Sequence, residues 1–98
     1  MFRHVVLIKC KSEANKAQRE AAVSGIRSLP YKIPQIRRFS VGENAEIDKD
    51  TFDLVVIADF DNAAGYVAYR DHPDHRTLLE NTIRPIVSSR AAIQYEVP

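Results

Sequence analysis

The sequence predicts an α+β fold in which helices cover one face of a four-stranded antiparallel sheet. Four segments have the alternation or β-branched content of strands, at residues 2–10, 35–42, 53–60 and 90–97. Apolar residues in helical spacing separate the first strand from the second, and the third from the fourth. The order β-α-β-β-α-β is the ferredoxin-like arrangement. With 98 residues, the chain is expected to form one domain, 1–98.

The first strand, FRHVVLIKC, is apolar on both faces. His4, Val6 and Ile8 alternate with Val5 and Leu7, so each set lies on its own side of the strand. A strand with two apolar faces is typical of a sheet that is covered on both sides. If the first set faces the helices, His4 enters the space beneath them.

The first helix is predicted to start near Ser12, a plausible N-cap, because helical apolar spacing runs from Ala14 to Leu29. Pro30 and Pro34 end this helix and favour an extended connection. The second strand, QIRRFSVG, then leads through a polar loop to the third.

The third strand, DLVVIADF, is the clearest of the four. Asp61 and Asn62 supply a helix cap, and AAGYVAYRD continues as helix over 63–71. Pro73 interrupts this helix, and a second helical stretch is predicted over roughly 73–84.

In this arrangement the helices leave one face of the sheet bare. Val5, Leu7, Val55 and Ile57 would form an exposed apolar patch there, larger than most monomers tolerate. Two-fold dimers are the commonest oligomers. We therefore expect a homodimer through the open sheet face.

Composition excludes several classes of function. The net charge is +1 with no basic cluster, which argues against nucleic-acid binding. No apolar run reaches the length of a membrane span and no secretion signal is recognised, so a cytoplasmic location without membrane contact is expected. Cys10 is the only cysteine, and it is expected to be a small core residue rather than a nucleophile. No nucleotide loop or nucleophile elbow is present, and no cofactor is predicted.

The segment YRDHPDH, residues 69–75, holds the residues best suited to chemistry. Pro73 suits the first turn of the second helix and places His75 in that turn. The positive helix end disfavours an imidazolium, so His75 is predicted to be neutral near pH 7. If Tyr69 and His4 lie in the same pocket, such a histidine could abstract a proton next to a carbonyl group of a small-molecule ligand.

Plainer interpretations apply to the same residues. Tyr69 could be a core aromatic and His4 a structural histidine, and the residue before a helix-starting proline, His72, is expected to be solvated or capping. A metal site from His72, His75 and the aspartates beside them fits the spacing alone. Short Asp/His clusters beside a proline are more typical of helix starts, so no metal is predicted.

Taken together, HVVLIKCK, LPYKIPQIRRFSVGEN, DLVVIADFDN and YVAYRDHPDH resemble the stress-responsive A/B barrel domain family of the dimeric α+β barrel superfamily. The resemblance covers nearly the whole chain and implies a ferredoxin-like domain with two sheets packed face to face in a homodimer. In a plant polyketide cyclase of this family, the catalytic tyrosine and histidine correspond to Tyr69 and His75, and a pocket histidine corresponds to His4.

Three functional hypotheses follow. The first is a cofactor-independent acid/base enzyme acting on a small carbonyl or polyketide-like compound. The second is a non-catalytic stress-response or small-ligand-binding protein in which the same residues only line a cavity. The third, suggested by the superfamily, is a cofactor-free monooxygenase of aromatic compounds. The absence of tryptophan tells against this third hypothesis, since some relatives of that type rely on one.

Overall fold

The computed structural model describes residues 1–98 and contains four strands and three helices. The strands are β1 (Phe2–Cys10), β2 (Arg38–Glu43), β3 (Leu54–Phe60) and β4 (Val87–Glu96). The helices are α1 (Lys16–Ser28), α2 (Ala63–Asp71) and α3 (Pro73–Leu78). Shorter turns complete the chain, namely two 3₁₀ turns at Leu29–Tyr31 and Arg84–Ile86 and one π-helical turn at Leu79–Ile83.

The strands form one antiparallel sheet in the order β2-β3-β1-β4. Because β1 and β3 lie in the middle, the two most apolar segments of the sequence occupy the two central positions. This order confirms the predicted ferredoxin-like fold.

The start of α1 differs from the prediction. Asn15, not Ser12, is the N-cap: its side chain accepts a hydrogen bond from the backbone N–H of Gln18 at 2.8 Å. The Gln18 side chain accepts one in return from the Asn15 N–H at 2.9 Å, which completes a capping box. Ser12 contacts the neighbouring Glu13 carboxylate instead. The helix therefore begins at Lys16, later than its apolar spacing suggested.

Two strand starts also differ from the prediction by three residues each, and the other differences are of one residue. β2 starts at Arg38 rather than residue 35, because the chain after Pro34 first makes a turn in which the Ile36 N–H donates to the Ile33 carbonyl. β4 starts at Val87 rather than residue 90, since its first residues pair with the end of β1. Those first residues include two serines, whose polar side chains interrupt the apolar alternation by which a strand is recognised in the sequence.

The predicted helix over 73–84 is interrupted. α3 ends at Leu78, and the chain continues through the π-helical turn and the 3₁₀ turn that contains Pro85. Proline has no N–H and its ring crowds the carbonyl four residues earlier, so an α-helix cannot run through this position.

The sheet has a buried face and an open face. His4, Val6 and Ile8 of β1 are buried beneath the helices, which settles the face that the sequence left open. On the other face Leu7 is 37% exposed, and β4 adds Ile93 at 59% and further exposed side chains. Strand register aligns these apolar groups, because Val5 is paired with both Ile57 and Ile93.

Helix packing leaves room near the middle of the buried face. Gly25 of α1 lets the Leu78 side chain of α3 approach the helix directly, since a Cβ at this position would collide with it. Val23 and Ile26 pack on β1 and β3, while Phe60 packs with Tyr69 in a second cluster. The space between these contacts forms the cavity described next.

Candidate functional site

A cavity of about 330 Å³ lies between the buried face of the sheet and the three helices. Eleven of its sixteen lining residues are hydrophobic. Tyr69, His75 and His4 all line it, so the three residues singled out from the sequence share one space. The remaining wall is chiefly aliphatic and is formed by Val6, Ile8, Ile26, Leu29, Val56, Leu78, Leu79, Ile83 and Val87. An apolar cavity with a few polar groups is the usual form of a small-molecule site.

The break between α2 and α3 brings Tyr69 and His75 together. His72 has an extended backbone (φ −62°, ψ 135°), and Pro73 restarts the helix in a new direction. The ring centroids of Tyr69 and His75 are 4.3 Å apart as a result. A continuous helix would have pointed the two side chains about 120° apart.

Tyr69 is a buried phenol in the cavity wall. The residue is only 3% exposed and packs on Phe60, with ring centroids 5.2 Å apart. Burial raises the pKa of the Tyr69 phenol, so the hydroxyl remains protonated at neutral pH. The Tyr69 hydroxyl makes no hydrogen bond within the chain, and the Tyr69 side chain lines the cavity. The hydroxyl can therefore donate to an oxygen of a bound molecule.

His75 has a defined tautomer. Its Nδ1 lies 3.0 Å from the carbonyl oxygen of Arg70, which can only accept a hydrogen bond. Nδ1 therefore carries the proton, and Nε2 of the neutral ring keeps its lone pair. Burial is the main cause that lowers the pKa of His75; the hydrogen bond to the Arg70 carbonyl acts in the opposite direction, and the positive charges of Arg76 and Arg90 lower the pKa further. This direction agrees with the sequence prediction, but desolvation rather than the helix end is the main cause of the lower pKa.

His4 is a second neutral imidazole. It is 6% exposed, and its Nδ1 accepts a hydrogen bond from the Gln94 amide at 2.8 Å. This arrangement leaves the proton on Nε2. Burial, with the nearby charge of Arg90, lowers the pKa of His4 to about 4. The two histidines therefore present opposite groups, an N–H on His4 and a lone pair on His75.

Several cavity residues were not identified from the sequence. Tyr66 lies 4.9 Å from His4 between ring centroids, and its position three residues before Tyr69 on α2 was a usable signal. Arg70 and Arg84 also line the cavity, as does Arg90 of β4. The wall contains no acidic residue, so its charged groups all have the same sign.

His72 and Cys10 take no part in this cavity. The His72 Nδ1 accepts a hydrogen bond from the backbone N–H of Asp74 at 3.1 Å and caps α3, as its place before a proline suggested. Cys10 is buried in the main core, and burial is the first cause that raises the pKa of its thiol. No three His, Cys, Asp or Glu side chains converge in a way that could hold a metal ion.

A larger depression of about 540 Å³ lies on the outside of α1. Only two of its seven lining residues are hydrophobic, Val23 and Tyr31, and it contains no histidine. It is a shallow surface groove, so the smaller cavity remains the candidate site. None of the helices has the length and apolar character needed to cross a membrane.

Comparison with known proteins gives consistent matches. The family model described as Stress responsive A/B Barrel Domain matches residues 2–97. Among curated proteins, a stress-response A/B barrel domain-containing protein of Arabidopsis thaliana is 23% identical over 96 residues, which cover 97% of this chain. The chain spans only about a third (36%) of the length of that plant protein.

Solved structures match over nearly the whole chain. A dimeric ferredoxin-like protein of unknown function from Thermobifida fusca has a TM-score of 0.89 and 31% identity, covering 98% of this chain and 90% of that one. The hydroxynitrile lyase from Passiflora edulis has a TM-score of 0.87 and 16% identity, covering 99% and 93% of the two chains, and shows the same fold. The fold and the family model agree, and the chain belongs to the stress-responsive A/B barrel domain family.

Proposed function

We propose that this protein is a cofactor-independent acid/base enzyme that removes a proton next to the carbonyl group of a small, largely apolar compound. The observation that carries the proposal is the hydrogen bond between His75 Nδ1 and the Arg70 carbonyl. It leaves the unprotonated Nε2 as the free nitrogen of a cavity-lining ring that is in contact with a protonated phenol. A base and a donor side by side are what enolate formation requires.

In the proposed step the C–H bond next to the carbonyl breaks and its proton passes to Nε2 of His75. The electron pair forms the enolate C=C bond, and the carbonyl π electrons move to the oxygen. The Tyr69 hydroxyl donates a hydrogen bond to this oxygen, and His4, whose ring centroid is 6.2 Å from that of Tyr69, offers a second donor at Nε2–H. The Arg70 carbonyl stabilises the imidazolium through Nδ1–H, and return of the proton completes the cycle.

Cavity size restricts the substrate. About 330 Å³ is near the lower end of the range for small-molecule sites, ~300–1,000 Å³. The aliphatic walls favour an alkyl or aryl group on the substrate. In Passiflora edulis the same fold belongs to a hydroxynitrile lyase, so the fold is compatible with enzymatic activity. The reaction proposed for this chain is argued from its own residues alone.

Hydrogen exchange tests this proposal. Phenylpyruvate, 2-oxooctanoate and their methyl esters carry protons next to the 2-oxo group, and their replacement by deuterium in D₂O is followed by proton NMR. We expect the wild type to accelerate exchange for at least one compound, and His75→Gln to lose about 100-fold or more of that rate. Tyr69→Phe retains the base, so its exchange rate should fall less than that of His75→Gln. His72→Asn keeps a capping side chain and should have the wild-type exchange rate. Equal rates for wild type and His75→Gln would contradict the proposal.

A non-catalytic ligand-binding role is the second candidate, and the aromatic packing favours it. Tyr69 contacts Phe60, Tyr66 and His4 at centroid distances of 5.2–6.4 Å, so it also serves as a core residue. Under this hypothesis the compounds bind with measurable affinity, but no variant changes the exchange rate. The same experiment therefore separates the two candidates.

We further propose that two copies pair through the open sheet face. Apolar groups from three strands meet there, and Ile93 and Tyr95 are 59% and 38% exposed in the single chain. At one end of this face Arg3 and Asp59 form a bidentate ion pair with distances of 2.7 and 2.9 Å. An apolar centre with a polar, internally paired edge is typical of a protein interface. The Thermobifida fusca relative, at 31% identity, is described as dimeric.

A further inference from the structure

The charged groups of the cavity wall are three arginines, and two of them already have partners. Arg70 makes a bidentate pair with the carboxylate of Asp71 at 2.9 and 3.1 Å. Arg84 pairs with Glu80 one helical turn earlier. Their charges are therefore largely compensated by residues outside the wall.

Arg90 is different, because it forms no ion pair and no side-chain hydrogen bond. It lies on edge strand β4 opposite Ile8, on the face of the sheet that borders the cavity. Arg90, His4 and His75 line the same cavity, and the positive charge of Arg90 lowers the pKa of both histidines. An unpaired cation thus lines the same cavity as the proposed base, and the cavity wall contains no carboxylate to compensate it.

We propose that Arg90 binds the carboxylate of the substrate, so that the substrate is a small oxo acid. This inference rests on the proposed acid/base function and specifies its substrate class. A guanidinium offers two parallel N–H donors that match a carboxylate. The carboxylate lies at Arg90, the neighbouring carbonyl reaches the Tyr69 hydroxyl, and the acidic C–H faces His75. The alkyl or aryl remainder occupies the aliphatic part of the cavity.

The number of unpaired arginines in the cavity wall favours a ligand with a single negative charge. Only one of the three arginines is unpaired, whereas a phosphate monoester carries nearly two negative charges and is usually bound by several donors. A single guanidinium beside an apolar cavity of about 330 Å³ suits one carboxylate on a compact molecule. The same cation favours the step electrostatically, because the substrate acquires a second negative charge as the enolate forms.

Matched acids and esters test the inference. Affinities of phenylpyruvate, 2-oxooctanoate and their methyl esters are measured by isothermal titration calorimetry with wild type, Arg90→Gln and Arg27→Gln. Arg27 is an exposed arginine on α1, away from the cavity, and serves as the matched control. We expect the wild type to bind at least one acid about tenfold more tightly than its ester, and Arg90→Gln to abolish this preference with ester affinity unchanged.

The outcomes separate this inference from the proposed function. An absence of acid preference in the wild type, or a preference that survives in Arg90→Gln, overturns the role of Arg90 even if His75-dependent exchange is observed. An acid preference that depends on Arg90, without exchange, supports carboxylate binding and overturns the acid/base function. Loss of preference in Arg27→Gln as well would assign the effect to overall charge and overturn the inference.

Discussion

The burial of His4 predicts that acid destabilises the protein over a defined pH range. The pKa of His4 is lowered to about 4 in the folded state, from 6.5 in an unfolded chain. Between these values the unfolded state binds a proton that the folded state does not. The stability that depends on neutral His4 is therefore fully present above pH 6.5. It is lost progressively as the pH falls towards 4.

The size of this effect follows from the shift. One pKa unit corresponds to about 1.4 kcal/mol, so His4 alone should reduce the free energy of unfolding by about 2 kcal/mol at pH 5 and about 3 kcal/mol at pH 4, relative to pH 7. For a small domain this is a large part of the total stability. His75, whose pKa is also lowered, acts in the same direction.

Urea denaturation at fixed protein concentration, at pH 7, 5 and 4, measures the effect. His4→Asn removes the titrating group and retains an acceptor for the Gln94 amide. The difference in unfolding free energy between wild type and His4→Asn should change by the amounts given above. His72→Asn, the same substitution at a helix cap, keeps His4 and should keep the wild-type pH dependence. A difference between wild type and His4→Asn that is constant with pH would refute the reasoning.

Three further predictions concern the interface, the helix cap and the cavity charge. Val55→Asp on the open face should dissociate the dimer, as measured by sedimentation velocity, whereas Val67→Asp on the exposed side of α2 should not. A Val55→Asp variant that still sediments as a dimer would show that this face is not the interface. Asn15→Ala should lower the unfolding free energy by about 1 kcal/mol and Ser12→Ala hardly at all; equal losses would contradict the capping assignment. Arg90→Gln should raise the pKa of both cavity histidines, as measured by NMR titration. Unchanged pKa values would show that the Arg90 charge does not act on His4 and His75.

The sheet could be predicted because its central strands bury about every second side chain, which gives the sequence a period of two residues. β1 and α2 match their predicted ranges, and α2 is bounded by Asn62 and Pro73, residues whose local chemistry fixes a helix end. The grouping of Tyr69 with His75 also followed from local sequence, because a proline two residues before His75 redirects the chain. Short-range rules were sufficient for these features.

Features that depend on long-range register could not be predicted in this way. Arg90 enters the cavity wall because β4 pairs with β1 in one register, and a shift of one residue would turn it to the other face. The start of β4 was missed because its serines interrupt the apolar pattern. The choice of Asn15 over Ser12 as N-cap depends on where the backbone turns, and both residues have suitable side chains.

The central claim is that His75 holds its proton on Nδ1 and offers Nε2 as a base. Imidazole ¹⁵N chemical shifts distinguish the two tautomers, and following them with pH gives the pKa of the same ring. We expect a neutral ring with Nδ1–H, bonded to the Arg70 carbonyl, and a pKa below 6.5. A ring that is protonated on Nε2, or one that is still an imidazolium at pH 7, would contradict the account.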